Sequence, residues 1–155
     1  MLERLFPRQI DNRHPGRRAA LWLLGAYLAL KLLISVNSIL NAEAVATGAD
    51  GFRLETYGAD GARAVLMLFA LTALGQLALT LLGCLALVRY RAMVPMVFLL
   101  LLAEHGARRL IIGSYAVERG EGLGAAFYIN AALLAVLALG LALSLWPPRA
   151  PPAER

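Results

Sequence analysis

Apolar and polar positions divide this chain into four long hydrophobic runs joined by short polar stretches. The runs cover about residues 19–42, 64–88, 92–113 and 125–146, with polar loops at 43–63 and 114–124. A basic leader occupies 1–18 and a Pro-rich tail 147–155. At 1.5 Å rise per residue, about 20 residues match a hydrocarbon core roughly 30 Å thick, so each run is read as a transmembrane helix. Pro95 falls in the first turn of the third run, where a missing N–H costs the helix nothing, and Pro147-Pro148 stops the fourth. The predicted fold is all-α: a polytopic membrane protein built as an antiparallel four-transmembrane-helix bundle.

Flanking charge sets the expected orientation. With the N-terminus inside, the cytoplasmic segments hold Arg4, Arg8, Arg13, Arg17 and Arg18 of the leader, then Arg89, Arg91, Arg149 and Arg155. The outer loops hold Arg53, Arg63 and Arg119, offset by Glu43, Asp50, Glu55, Asp60, Glu118 and Glu121. Basic residues concentrate on the cytoplasmic side of membrane proteins, so the reading is N-in/C-in. Trp22, Tyr90 and Trp146 then mark the inner interface, and Tyr57, Tyr115, Phe127 and Tyr128 the outer one. Arg17-Arg18, an apolar stretch and Ala44-Val45-Ala46 imitate a cleaved signal peptide. The stretch is too long for that and contains Lys31, so it is read as a retained first span. The outer loop repeats Gly-Ala-Asp-Gly at Gly48–Gly51 and Gly58–Gly61, which reads as two turns; a calcium loop needs more oxygen ligands at regular spacing.

The polar residues inside the runs fall into two layers. Counted from the cytoplasmic ends at 1.5 Å per residue, Lys31, Gln76 and Glu104 all lie about 17–18 Å deep. A lysine and a glutamate at equal depth in low dielectric are expected to pair, which predicts a Lys31–Glu104 contact. A second layer, about 24–26 Å deep on the same count, contains Asn37, Ser38, Thr72, Arg108, Arg109 and Asn130. Thr72, Gln76 and Thr80 repeat every four residues and form one stripe. Glu104 and Arg108 stand at i,i+4 with the acid first, the favourable order for a local pair. Polar side chains also serve as adhesive between transmembrane helices, at about 0.6–2 kcal/mol per bond. Four ionisable groups (Lys31, Glu104, Arg108 and Arg109) exceed what adhesion requires. With Asn37, Gln76, His105 and Asn130 they form the candidate ligand pocket or polar core.

Composition narrows the chemistry. The 155 residues are 60% hydrophobic and 16% charged, against roughly a half and a quarter in soluble domains. Net charge is +5, yet the arginines cluster at the ends of apolar runs, where topology explains them better than nucleic acid does. Arginine far outnumbers lysine, and with the Ala, Gly and Leu richness this hints at a GC-rich bacterial genome. One cysteine, Cys84, excludes an internal disulfide and a Cys-rich metal site. His105 is the single histidine within the runs, so bis-histidine haem within one subunit is excluded. No Gly-x-Ser-x-Gly, His-Glu-x-x-His, P-loop or Cys-x-x-Cys is present, and no particular cofactor is implied.

Size and hydropathy are shared by many small four-helix membrane proteins, an association of fold class that assigns no family. The favoured reading is a non-enzymatic accessory or scaffold subunit of a complex in the bacterial inner membrane. Its partners would be membrane lipids and another integral membrane protein or a second copy, and not nucleic acid. Ala131, Ala135, Ala138 and Ala142 line one side of the fourth run and allow close helix packing. Two alternatives remain open: a binding or transport module with an outward-facing cationic pocket for a lipid, quinone or small anion, and an intramembrane enzyme using Glu104 or His105.

Overall fold

The computed structural model describes residues 2–14, 16–115 and 123–147, and among them there is no strand. Glu118, Arg119, Glu121 and the tail charges Arg149 and Arg155 lie outside what is described, as does the side chain of Phe127. Six α-helices follow in order: α1 (Leu2–Leu5), α2 (Arg18–Leu40), α3 (Ala42–Gly48), α4 (Ala59–Arg89), α5 (Val94–Ser114) and α6 (Leu123–Leu145). α2, α4 and the Tyr128–Leu145 part of α6 are long and apolar enough to cross a membrane. α5 has the length, but Glu104, Arg108 and Arg109 in its second half take it out of that set on composition.

The surface agrees with a lipid surround. Along α4, Met67, Leu71, Leu74, Leu81, Leu85 and Val88 are all exposed. A soluble monomer rarely leaves more than a few hundred Å² of contiguous apolar surface in water. In lipid such a surface carries no penalty, and the helix satisfies its own backbone. The chain is an all-helical membrane protein.

Two boundaries depart from the sequence expectation. α4 begins at Ala59, not near residue 64, because the second Gly-Ala-Asp-Gly is helix start and not loop: Gly58 precedes the first turn and Asp60 sits within it, where the helix dipole favours an acid. The first repeat does turn, with Gly51 at φ 69°. The outer loop is also more ordered than its polarity suggests. α3 follows α2 after a break at Asn41, Phe52 N–H donates to the Ala46 carbonyl (2.9 Å), and the Phe52 ring meets Phe69 of α4 edge-on at 6.4 Å.

α2 is the central element, packed against α4 on one side and α6 on the other, while α5 packs mainly on α6. The consecutive helices α4 and α5 make few contacts, and α2 and α5 fewer still. Glycines permit the closest approaches. Gly140 of α6 faces the fully buried ring of Phe98, which occupies the space a Cβ would need. A Cβ on Gly83 of α4 would lie 2.7 Å from Leu28 of α2 and 3.5 Å from Val97 of α5. Around these contacts Leu24, Leu28, Val94, Phe98, Leu101 and Leu137 form the apolar core.

The leader folds across the end where α2 starts and α6 stops. Arg17 N–H donates to the Leu143 carbonyl (3.1 Å), and Ala92 N–H, in the α4–α5 turn, donates to the Asp11 carbonyl (3.2 Å). Gly16 lies directly on the backbone of Ser144, leaving no room for a side chain. Arg17 stacks over the Trp146 ring at 5.1 Å, and His14 Nε2–H donates to the Arg17 carbonyl at 3.1 Å. Burial holds His14 below the ordinary histidine value; the Arg17 and Arg91 backbones oppose that shift, and the Arg91 charge adds to it. As pH falls through about 6.5, the unfolded leader takes up a proton that the folded one resists. Stability is therefore constant above neutral pH and declines on acidification. In a Trp22→Phe background, Trp146 emission should shift between pH 7.5 and 5.5, and His14→Gln should remove the shift. An identical pH response in His14→Gln would assign the change elsewhere.

Candidate functional site

The site grows from the register that the glycines set. Gly83 brings Leu28 of α2 and Val97 of α5 to one level near the leader end. Two helical turns farther from that end, seven residues on, the same three helices present Ser35, Gln76 and Glu104. Lys31 starts one turn short of this level, and its long side chain reaches it: Nζ donates to Gln76 Oε1 at 2.5 Å. Lys31 and Gln76 thus meet as their depths suggest, but the Lys31–Glu104 contact does not form. Glu104 accepts from Arg108 on its own helix, through Nε at 3.0 Å and also through Nη2. The reason is geometric. Gln76 lies across the tightly packed α2–α4 interface, whereas α2 and α5 touch little, and an i,i+4 pair requires no approach between helices.

The faces of α5 explain the rest. Val97 looks toward α4 and Phe98 toward α6. Glu104 and Arg108 continue the Val97 face, seven and eleven residues on, and their side chains are 27% and 24% exposed along the loose α4–α5 seam. Arg109 continues the Phe98 face and is half-buried. By the antiparallel register of Phe98 on Gly140 it stands level with half-buried Asn130 of α6. His105 lies between the two faces and points inward, 3% exposed. Asn37 is exposed and accepts from Asn41 Nδ2 at 2.8 Å, so it sits apart from the arginines. Lys31, Gln76, Glu104, His105 and Arg108 are therefore brought together, Arg109 and Asn130 lie beside them, and Asn37 does not join them.

Two residues of this interior carry more weight than the sequence assigns them. Tyr27, Lys31 and Ser35 succeed one another every four residues on the buried face of α2. The Tyr27 hydroxyl and the Ser35 hydroxyl are buried without a hydrogen-bond partner, as are both ring nitrogens of His105. Tyr27 escapes a reading by charge because tyrosine is common in apolar runs; its spacing from Lys31 is the signal. Lys31, Glu104 and Arg108 lie within electrostatic range of one another and of Tyr27 or His105. Thr72 and Thr80 bond back to the Leu68 and Gln76 carbonyls at 2.8 and 2.7 Å and so add nothing across helices. Among the described residues no three His, Cys, Asp or Glu side chains gather as a metal set. Comparison with protein families, with characterised proteins and with solved structures finds no match.

Proposed function

We propose that the protein is a non-enzymatic subunit of a bacterial inner-membrane complex, with four spans, N-in and C-in, that docks another transmembrane helix through α6. The observation that carries this reading is the placement of the small residues of α6. Ala131, Ala135, Ala138 and Ala142 are all exposed, while Leu137, Gly140 and Ser144 on the opposite side are buried against α2 and α5. The alanine stripe is therefore left open by the fold of this chain. Small residues allow two backbones to approach closely, which is the main source of association where lipid removes the hydrophobic driving force.

The polar core supports the same reading from the other side. Lys31 is bound to Gln76 and Glu104 to Arg108, so the charged groups hold helices and each other. The test is the size of the particle in membrane patches excised by polymer without detergent. The wild-type chain should run as a defined assembly, and Ala135→Leu with Ala138→Leu should shift most of it to the monomer with helix content retained. A wild-type monomer in those patches, or an assembly indifferent to both leucines, counts against the proposal.

A further inference from the structure

We propose that the interior between α2 and α5 binds a carboxylate, carried by a lipid-soluble acid that reaches it through the α4–α5 seam. The inference does not depend on the docking role of α6. Ser35, Tyr27 and His105 are 1%, 2% and 3% exposed, and none of their side-chain polar atoms finds a partner. A buried donor left unmet is costly, so native proteins pair such groups almost without exception. The chain shows how a hydroxyl in an apolar helix is ordinarily satisfied. Thr72, Thr80, Ser114 and Ser144 all donate to a carbonyl three or four residues back. Ser35 has the same option on α2 and does not take it. It stands on the buried face of α2, at the level of Gln76 and Glu104.

Charge specifies the ligand. The acceptor of Lys31 is the neutral amide oxygen of Gln76, and among the described residues no carboxylate lies within ion-pair distance of it. Glu104, the one acid at this level, is engaged by Arg108. An ammonium whose hydrogen-bond acceptor is a neutral amide, with the nearby carboxylate already held by an arginine, has room for an anion in low dielectric. Lys31 and Ser35, successive on the buried face of α2, and His105 of α5, within electrostatic range of Lys31, all offer donors, and Tyr27 adds another one turn before Lys31. Two carboxylate oxygens match this set. A phosphate diester, ionised throughout the ordinary pH range, has no neutral form in which to cross an apolar seam, whereas a carboxylic acid does. α4 and α5 make few contacts, and Glu104 and Arg108, on the face of α5 that continues from Val97, are partly exposed.

The full chain in lipid nanodiscs is titrated with palmitate, palmitate methyl ester and acetate, read by native mass spectrometry. Palmitate is expected to give a one-to-one adduct and its methyl ester none. Tyr27→Phe with Ser35→Ala should reduce palmitate occupancy at least tenfold, while the ligand-free unfolding temperature stays equal or rises, since the removed hydroxyls have no partner in the protein. Displacement of palmitate by acetate would support the carboxylate site and assign it to a water-soluble acid. Equal binding of the methyl ester, or no palmitate adduct, overturns the proposal on the wild-type chain alone. Occupancy unchanged in the folded double variant overturns it as well.

Discussion

Gly140→Val is expected to be the most damaging single substitution in the chain, separating α5 from α6. The Phe98 ring fills the place where a side chain on residue 140 would sit, and it is fully buried with Leu101 and Leu137 beside it. The ring has nowhere to turn. Overpacking of a close-fitted core costs about 1–3 kcal/mol and more when the neighbour cannot move; a β-branched group meeting a buried aromatic ring puts this case at or above about 3 kcal/mol. The measurement is unfolding in mixed micelles, read by loss of helicity against denaturing detergent. Phe98→Ala should cost less. Lipid is as apolar as the core, so that variant loses packing contacts without the transfer term that dominates such changes in soluble proteins. Combining Gly140→Val with Phe98→Ala should restore part of the loss. A double variant as unstable as the sum of the two singles would show that the ring and residue 140 do not meet.

The second large effect concerns Lys31. Gln76→Leu removes its acceptor and leaves an ammonium among apolar side chains, an expected loss of about 2–3 kcal/mol in the same unfolding assay. Lys31→Met removes the charge together with the need for an acceptor and should cost clearly less. The pair Lys31→Met with Gln76→Leu should lie close to Lys31→Met alone, because an apolar pair of similar volume replaces a buried polar one. Equal losses for the two single variants would deny that asymmetry, and with it the assignment of Gln76 as the partner of Lys31.

Much of this was legible from residue positions. The apolar runs located α2, α4, α5 and α6 to within a few residues, and counting depth brought Lys31 to Gln76. Partner choice was not legible, because depth says how far along a helix a residue lies and nothing of which helices face each other. Lys31 and Glu104 share a depth, but α2 and α5 are set apart while α2 and α4 are pressed together by Gly83. The start of α4 was hidden because an Asp-Gly pair suits a turn and a helix N-terminus equally well. Asn37 looked inward by depth and is exposed, since an i,i+4 bond with Asn41 satisfies it locally. The inward stripe of Tyr27, Lys31 and Ser35 needed only the spacing of four to be seen, once Lys31 is known to face inward.

The folded leader has a consequence for the order in which the molecule is made. Arg17 and Gly16 rest on Leu143 and Ser144, so the leader waits for α6. Until α6 emerges from the ribosome, the leader has the Ala92 turn and α5 to hold. Its anchorage on α6 is synthesised after α2, α4 and α5. Until then α2 can settle against α4, but the cap that joins the start of α2 to α6 is missing. Closure of that cap is a completion step, and a nascent chain truncated before Leu143 would present a loose leader to any protease that inspects unfinished membrane proteins.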